Sequence, residues 1–447
     1  MNLPIDVKNI LEKLNMAGFE AYVVGGCVRD SLLGKKPKDW DICTNAKPKQ
    51  VMKVFKGFNI IPTGLQHGTV TVMVKGEGYE ITTYRVDGDY SDGRHPDNVS
   101  FTSNLAEDLA RRDFTINAMA YSEEEGIVDL YGGVSDLRNG LIKCVGNPLD
   151  RFNEDALRIM RAMRFASVLG FQIEDSTKQA MLNLYENLSL IARERINVEL
   201  SKLLLGKGNV NILREYVDII SYIIPELKEM VGFEQHSVWH IYDVWEHTLS
   251  VIKNIKNNDL NTLLAGLLHD IGKPSTFTLV DGEGHFYGHY SESVKIAEKV
   301  LKELKFSNDI IDEVLKLIEY HDLECSASNK FIRRMLNKLG KETFDKLLVL
   351  KRADILGQSQ LQKVERLRVI NELERLLKDF KIEDDCFSLK QLKLNGKDLI
   401  QMGFKPGKEM GDILNILLNK VIDEELENEK DTLIRFVKDE FLNGCKV

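Results

Sequence analysis

Two carboxylates, Asp39 and Asp41, stand two residues apart at a short β-rich stretch, Trp40 to Cys43. Strand side chains alternate faces, so residues at i and i+2 project from one side and can share metal ions. Hard oxygen donors suit Mg²⁺, which also takes the phosphate oxygens of a nucleotide, so this spacing predicts a two-magnesium site. Just upstream, Gly25 and Gly26 follow the apolar stretch Ala21 to Val24. They let backbone N–H groups approach a triphosphate, and Arg29 adds a forked cationic donor. A Gly-Gly pair or an Asp-x-Asp alone is an ordinary turn or strand end; the joint pattern points to nucleotide chemistry.

A second polar set lies in EDALRIMRAMRFA, where Asp155, Arg158, Arg161 and Arg164 follow at i+3 steps and form a row winding slowly around a helix. The row fits an intrahelical salt-bridge ladder, and it also fits base selection. Cytosine and adenine each present an amine donor beside an unprotonated ring nitrogen, whereas guanine and uracil present a carbonyl beside a ring N–H. An Asp that accepts from the amine and an Arg that donates to the ring nitrogen would admit C and A and refuse G and U without a nucleic-acid template.

A third set consists of metal-ligand types. His247 (IYDVWEHTL), His269 and Asp270 (LLAGLLHDIGK), His289 (GHFYGHY), His321 (IEYHDLE) and Asp354 (VLKRADILG) are dispersed over helical stretches. Only His67 and His95 lie outside the span His236 to His321. Imidazole and carboxylate donors suit a divalent transition metal or a mixed Mg²⁺/Mn²⁺ site. His285 competes with His289, since both lie in one short loop.

The elements that must position these residues are readable in outline. Val7 to Ala17 has helical apolar spacing closed by Gly18, and Ala46 to Phe55 is again helical, with Pro48 near its start. Thr69 to Val74 and Tyr79 to Tyr84 form a hairpin pattern around a GEG turn. DGDYSDGRHPDNVSFTSN, Asp87 to Asn104, is poor in apolar anchors and predicts a mobile loop. RRDFTINAMA, Arg111 to Ala120, reads as a charged helix start. Beyond Pro148 the period is helical throughout. Near the end, Gly403, Pro406, Gly407 and Gly411 separate apolar helices, a connection that could offer backbone N–H groups to a phosphate.

The chain has 447 residues, which predicts two to four domains. With 43% hydrophobic and 29% charged residues it has the balance of a globular protein. No apolar run reaches membrane-spanning length and Met1 to Ile10 lacks a secretory pattern, so no membrane partner and a cytoplasmic location are expected. The six cysteines are scattered, which suits free thiols better than disulfides or a zinc ribbon. A net charge of −9 argues mildly against nucleic acid, although a local basic face survives any total.

GGCVRD followed by DWDICTNA resembles the head of the class II nucleotidyltransferases, the CCA-adding enzymes and bacterial poly(A) polymerases, similar in turn to the DNA polymerase beta superfamily. The resemblance implies that Arg112 meets the nucleotide and Asp113 the ribose. It further implies that DLYGGVSDLRNG is a hinge, that Asp155 and Arg158 read the base, and that Arg161 and Arg164 contact the triphosphate. IARERINVELSKLLL looks like the following neck motif, where helix packing is expected. A flexible loop at Asp87 to Asn104 implies full CCA addition. The third set looks like the HD phosphohydrolase superfamily, which implies one metal on His247, His269, Asp270 and Asp354. His289 and His321 would then complete a second metal or bind phosphate.

The expectation is therefore an α+β chain: a small α/β nucleotidyltransferase head (1–146), a helical neck and body (147–232), a helical HD domain (233–356) and a helical tail that holds tRNA (357–447). The expected cofactors are Mg²⁺ at the transferase site and a divalent metal such as Mg²⁺, Mn²⁺ or Ni²⁺ at the HD site; the partners are the tRNA 3′ end, CTP and ATP, with monomer and dimer both open. Phosphatase or 2′,3′-cyclic phosphodiesterase activity would accompany CCA addition. A poly(A) polymerase or A-adding enzyme fits the same head, and a hydrolase with an RNA-binding head is the reading from another class.

Overall fold

The computed structural model describes residues 1–88, 99–380 and 385–442. They form two compact units, Met1–Pro225 and Glu226–Val447. Among the described residues no helix is long and apolar enough to cross a membrane.

The first unit begins with α1 (Ile5–Met16), which buries Val7, Ile10, Leu11 and Leu14, the spacing of one helical face. Strand β1 (Ala21–Val24) is buried along its whole length and leads through Gly25 into α2 (Gly26–Leu32). Then come β2 (Ile42–Thr44), α3 (Pro48–Val54), β3 (Asn59–Gly64), β4 (Thr69–Val74) and β5 (Glu77–Thr83). With β8 (Met119–Ser122) and β9 (Gly126–Asp129) they make a seven-stranded sheet in the order β3-β4-β5-β2-β1-β8-β9. The β4–β5 turn is Lys75–Gly76, both at positive φ, so Glu77 and Gly78 of the expected GEG turn belong to the strand. Only a residue tolerant of the left-handed region can sit at such a tight connection, which glycine supplies at Gly76.

Two short strands, β6 (Arg85–Asp87) and β7 (Val99–Phe101), pair antiparallel. They lie at the ends of the stretch expected as a mobile loop, whose residues 89–98 fall outside the described part of the chain. Helix α4 (Leu105–Ala110) ends at Arg111, so the arginines of RRDFTINAMA close a helix and do not open one. Asp129 receives the N–H groups of Gly133 and Val134 and so starts α5 (Gly133–Asn139). Beyond it a parallel pair, β10 (Leu141–Ile142) and β11 (Gln172–Ile173), interrupts the helical region.

Helices α6 (Pro148–Glu154) and α7 (Leu157–Leu169) are separate. Asp155 sits between them in an extended conformation, with its carboxylate receiving the Leu157 N–H. It is therefore not part of a continuous helical row with Arg158. Its short side chain competes for backbone N–H groups, which favours a cap over a helix interior. α8 (Asp175–Leu184), α9 (Arg193–Leu204), α10 (Asn209–Glu215) and α11 (Val217–Ile223) complete this unit, α7 packing on α9.

In the second unit, α12 (Val244–Asn254) and α13 (Leu260–Leu268) are capped by Asp243 and Asp259, each accepting an N–H of the first turn. α14 (Lys273–Thr276) precedes a hairpin of β12 (Thr278–Val280) and β13 (Glu283–His285). α15 (His289–Glu303), α16 (Asn308–Tyr320) and α17 (Asn329–Gly357) follow, α17 being broken at Gly340, where φ is 74°. α12 packs on α13 and α17, and α13 on α16. α18 (Lys363–Asp379) lies against α17, followed by α19 (Gly396–Gln401), α20 (Lys408–Ile422) and α21 (Lys430–Val437) around Leu394, Leu399, Leu417 and Leu433. Gly403, Pro406 and Gly407 lie between α19 and α20, while Gly411 is already inside α20.

Candidate functional site

The first site forms where β1 ends and β2 begins. The two strands pair antiparallel, with Val23 opposite Ile42, and the ladder continues as the Val24 N–H donates to the Asp41 carbonyl at 3.0 Å. The carboxylates thus precede the strand proper, whose first residue is Ile42, not Trp40. Antiparallel pairing brings Asp41 to the edge where Gly25 turns the chain into α2. Gly25 has φ +80°, and a β-carbon there would stand 3.0 Å from an Arg112 guanidinium nitrogen. Any side chain at that position would be strained and would press on Arg112.

β2 also pairs parallel with β5, Ile42 opposite Ile81, so the preceding positions Asp41 and Glu80 fall side by side. Burial, then the Glu80 carboxylate, push the Asp41 carboxyl above its ordinary value, and Arg112 pulls against them. Asp41 as a residue is exposed on its outer side; the protein around its carboxyl still removes water from the charge. Glu80 is a third acid that the Asp-x-Asp pattern does not reveal. It comes into view only through the strand register.

Next to this edge the predicted nucleotide contacts gather through residues that sequence reasoning left out. Arg29 donates to the Asn117 side chain at 2.7 Å, and Asn117 donates to Asp113 at 3.1 Å. The other Asp113 oxygen takes both Arg161 nitrogens, at 2.9 and 2.5 Å. Burial alone would push the Asp113 carboxyl up; Arg161 and Asn117 outweigh it and hold it at about 2. The guanidiniums of Arg29, Arg161 and Arg164 all face the Phe165 ring, at 5.1, 5.5 and 3.9 Å from its centre. One ring shared by three cations holds them together with less direct repulsion, a ready place for phosphates. Buried Asp108 binds Arg112 at 3.2 Å and also Arg111.

The pair expected to read the base is engaged internally. Asp155 takes Arg195 at 2.8 Å. Arg158, almost fully buried, donates to Glu154 at 2.6 Å and to the carbonyls of Arg151 and Arg111. Arg164 pairs with Glu199 at 2.9 Å. The ladder is thus mainly between elements, with Glu154–Arg158 as its i,i+4 pair. α9, expected to supply packing alone, contributes Arg195 and Glu199 to it.

In the second unit the dispersed ligands converge. His247 lies on α12, His269 and Asp270 end α13, His289 begins α15, His321 ends α16 and Asp354 lies in the last turn of α17; all six are buried. One donor atom each from His247, His269 and Asp354 lie within 4.8 Å of one another, and so do those of His269, Asp270 and His321. The Nδ1 atoms of His269, His289 and His321 meet the carbonyls of Gly266, Phe286 and Ile318 at 2.9, 3.0 and 2.6 Å. Each Nδ1 must carry the proton to donate there, which leaves Nε2 with a lone pair. Those Nε2 atoms point at one another: His247 to His269 at 3.4 Å, and His289 to His321 at 3.3 Å. Ring nitrogens facing one another among buried carboxylates are relieved by a cation between them.

Asp270 lies between the two groups, 3.2 Å from His269 and 3.5 Å from His289, and Lys273 salt-bridges it at 2.8 Å. Burial would raise its carboxyl; His269 and Lys273 bring it well below the ordinary range. His285 instead stacks on Tyr287, whereas His289 faces His321 at 3.3 Å and Asp270 at 3.5 Å. His240 is an addition: its ring lies 5.1 Å from that of His247, and burial followed by Lys273 lowers it to about 3.

Comparison with known proteins bears on both units. The family model of the poly A polymerase head domain matches residues 21–143, and that of tRNA nucleotidyltransferase domain 2 matches residues 289–437. A third, for an RNA- and SrmB-binding site of polymerase A, matches residues 170–230. The CCA-adding enzyme of Ligilactobacillus salivarius (strain UCC118) is 37% identical over 451 residues, covering 98% of this chain and 97% of its own. That of Enterococcus faecalis is 33% identical, with 98% and 96% covered. The crystal structure of the Bacillus stearothermophilus CCA-adding enzyme in complex with CTP is similar at a TM-score of 0.75 and 28% identity, over 99% of both chains. The Thermotoga maritima CCA-adding enzyme complexed with tRNA shares the fold, with a TM-score of 0.60 and 22% identity over 98% of this chain and 96% of that one.

Proposed function

The chain belongs to the CCA-adding enzyme family, and on that premise we propose that it adds C, C and A to the 3′ end of tRNA from CTP and ATP at the edge formed by Asp39, Asp41 and Glu80. The pairing of β1 with β2 carries this reading, because it brings the glycine turn for a triphosphate and a carboxylate for metal to one edge. The donors are all carboxylate oxygens, which fits Mg²⁺. Magnesium held there supplies Lewis-acid chemistry, acidifying the attacking hydroxyl and neutralising the leaving pyrophosphate.

The chain's own groups do the positioning. The Gly25–Gly26 backbone and Arg29, Arg161 and Arg164 hold the triphosphate, Arg112 steadies the nucleotide, and Asp113 orients both the ribose and Arg161. The RNA 3′ oxygen then bonds the α-phosphorus as the bond to the pyrophosphate oxygen breaks. For base choice, Asp155 exchanges Arg195 for the exocyclic amine, and Arg158 exchanges Glu154 for the ring nitrogen. Replacing Asp155 by Ala should lower the preference for CTP and ATP over UTP and GTP by roughly tenfold, the worth of one well-placed base contact. Single-turnover incorporation with each nucleotide measures this; unchanged preference removes Asp155 from the role.

A second activity is favoured by the facing imidazole lone pairs in the other unit. That donor set fits a divalent metal such as Mg²⁺, Mn²⁺ or Ni²⁺ on His247, His269, Asp270 and Asp354, with His289 and His321 completing a second position. Such a metal supplies water acidified for attack on a phosphoester. Asp270 stands beside both histidine pairs, and Lys273 salt-bridges it. This supports a phosphatase or 2′,3′-cyclic phosphodiesterase beside the transferase. The tail, with its Gly- and Pro-bearing link between α19 and α20, is assigned to holding tRNA.

A further inference from the structure

Asp354 reaches the histidine cluster from the last turn of α17, with its Oδ1 atom 3.0 Å from His247 Nε2. Rotation of a carboxyl group about its last bond is a broad torsion, so the helix alone does not fix which lone pairs face the imidazoles. Four residues on, the Gln358 amide nitrogen donates to Oδ1 and to Oδ2, 3.0 Å from each. An amide nitrogen set against both oxygens resists that rotation, and it leaves each oxygen a lone pair for another partner. The backbone acts on the same pair. The Gly357 carbonyl lies 3.4 Å from His247 Nδ1, and a β-carbon at Gly357 would stand 3.3 Å from that ring. One short stretch thus sets both His247 and Asp354.

An amide can turn either its nitrogen or its oxygen towards a neighbour, and an oxygen turned to a buried carboxylate would repel it. Arg366 on α18 decides the choice, because its guanidinium donates to Gln358 Oε1. A guanidinium has donors only, so it must face the amide oxygen, which leaves the nitrogen for Asp354. A Gln–Asp pair four residues apart is ordinary on an exposed helix. Here the carboxylate is buried, the third partner comes from another helix, and Gln358 and Arg366 line the cavity that also exposes Asp270, His289 and His321.

Resting on the metal reading of the cluster and on no particular substrate, we infer that Gln358 and Arg366 are positioning residues of the metal centre. Gln358 holds the Asp354 carboxylate towards His247 and His269, and Arg366 acts through Gln358 by fixing its amide. Neither is a metal ligand. Both lie past residue 356, the expected end of the helical HD domain, so the centre draws on the segment expected to serve as a tail.

Titration of the full chain with Mn²⁺, read by competition with a fluorescent chelator, tests this without any substrate. Gln358→Leu, similar in size and without hydrogen-bonding groups, should weaken Mn²⁺ binding by about ten- to a hundredfold, the range found when a partner of a metal-binding side chain is removed. Arg366→Met should weaken it in the same direction, and Arg366→Lys, which keeps a cationic donor, should restore most of the loss. The double variant Gln358→Leu with Arg366→Met should bind no more weakly than Gln358→Leu alone, since a residue that acts through another then has nothing to act on. Melting temperatures without metal should stay close to that of the parent, which separates lost position from lost fold. Arg366 is partly exposed, so Arg366→Met and Arg366→Lys keep the test open should Gln358→Leu fail to fold. Unchanged Mn²⁺ binding in Gln358→Leu overturns the inference, and so does tighter binding, which would make the amide a competitor of the metal for Asp354. A further loss in the double variant overturns the relay from Arg366. A parent chain that binds no Mn²⁺ removes the metal reading itself, a failure distinct from that of a parent that binds and variants that bind equally well.

Discussion

Asp41→Ala is expected to abolish addition of every nucleotide, lowering kcat by roughly a thousandfold or more, because a carboxylate that anchors catalytic metal ions contributes several kcal/mol at the transition state. Asp39→Ala should behave in the same way. Both residues are exposed just ahead of β2, where no core packing is lost. Binding of tRNA and the thermal midpoint should therefore remain near those of the parent protein. Rapid-quench incorporation of labelled CTP, with a filter-binding measurement alongside, distinguishes the outcomes. Near-normal incorporation by either variant would remove the acids from catalysis.

Removal of the histidine cluster should have the second large effect, confined to the other activity. His269→Ala combined with Asp270→Ala deletes the one residue common to both metal-ligand groups and a carboxylate of one of them. The double variant should lose its bound divalent metal, measured by elemental analysis after dialysis, and with it release of phosphate and opening of 2′,3′-cyclic esters. CCA addition should persist, since neither residue is within the first unit. Buried imidazoles whose ring nitrogens face one another are costly without a cation, so adding Mn²⁺ should raise the melting temperature of the parent and not of the variant. Full cyclic-ester hydrolysis by the variant would locate that activity elsewhere.

Local chemistry made much of this molecule legible. Gly25 and the spacing of Asp39 and Asp41 were readable because strand alternation and glycine geometry act over a few residues. The histidines and aspartates that converge in the second unit were legible as a set because His and Asp on apolar helices are rare enough to be counted. Long-range pairing was not legible. Glu80 reaches Asp41 only through the parallel register of β5 on β2, which no local pattern encodes. Asp108, Asn117 and Glu199 were passed over for the same reason, each an ordinary polar residue until the fold set a guanidinium beside it. Asn117 had one signal, an amide within the otherwise apolar INAMA.

The helical row is instructive in another way. Its i+3 spacing was read as one helix face, but Asp155 caps α7 from an extended residue, because a short carboxylate satisfies a free helix N–H better than it extends a helix. The spacing survived and the geometry behind it changed. The arginines 161 and 164 were rightly drawn together, yet the object that gathers them, the Phe165 ring, is apolar and carries no signal of its own.

The most direct test of the central claim is product length. A tRNA transcript ending at its discriminator base is incubated with labelled CTP, ATP or both. The account predicts two added residues with CTP alone, three with both, and none with ATP alone. A long adenosine tail with ATP alone, or extension only of transcripts that already end in CC, would contradict it.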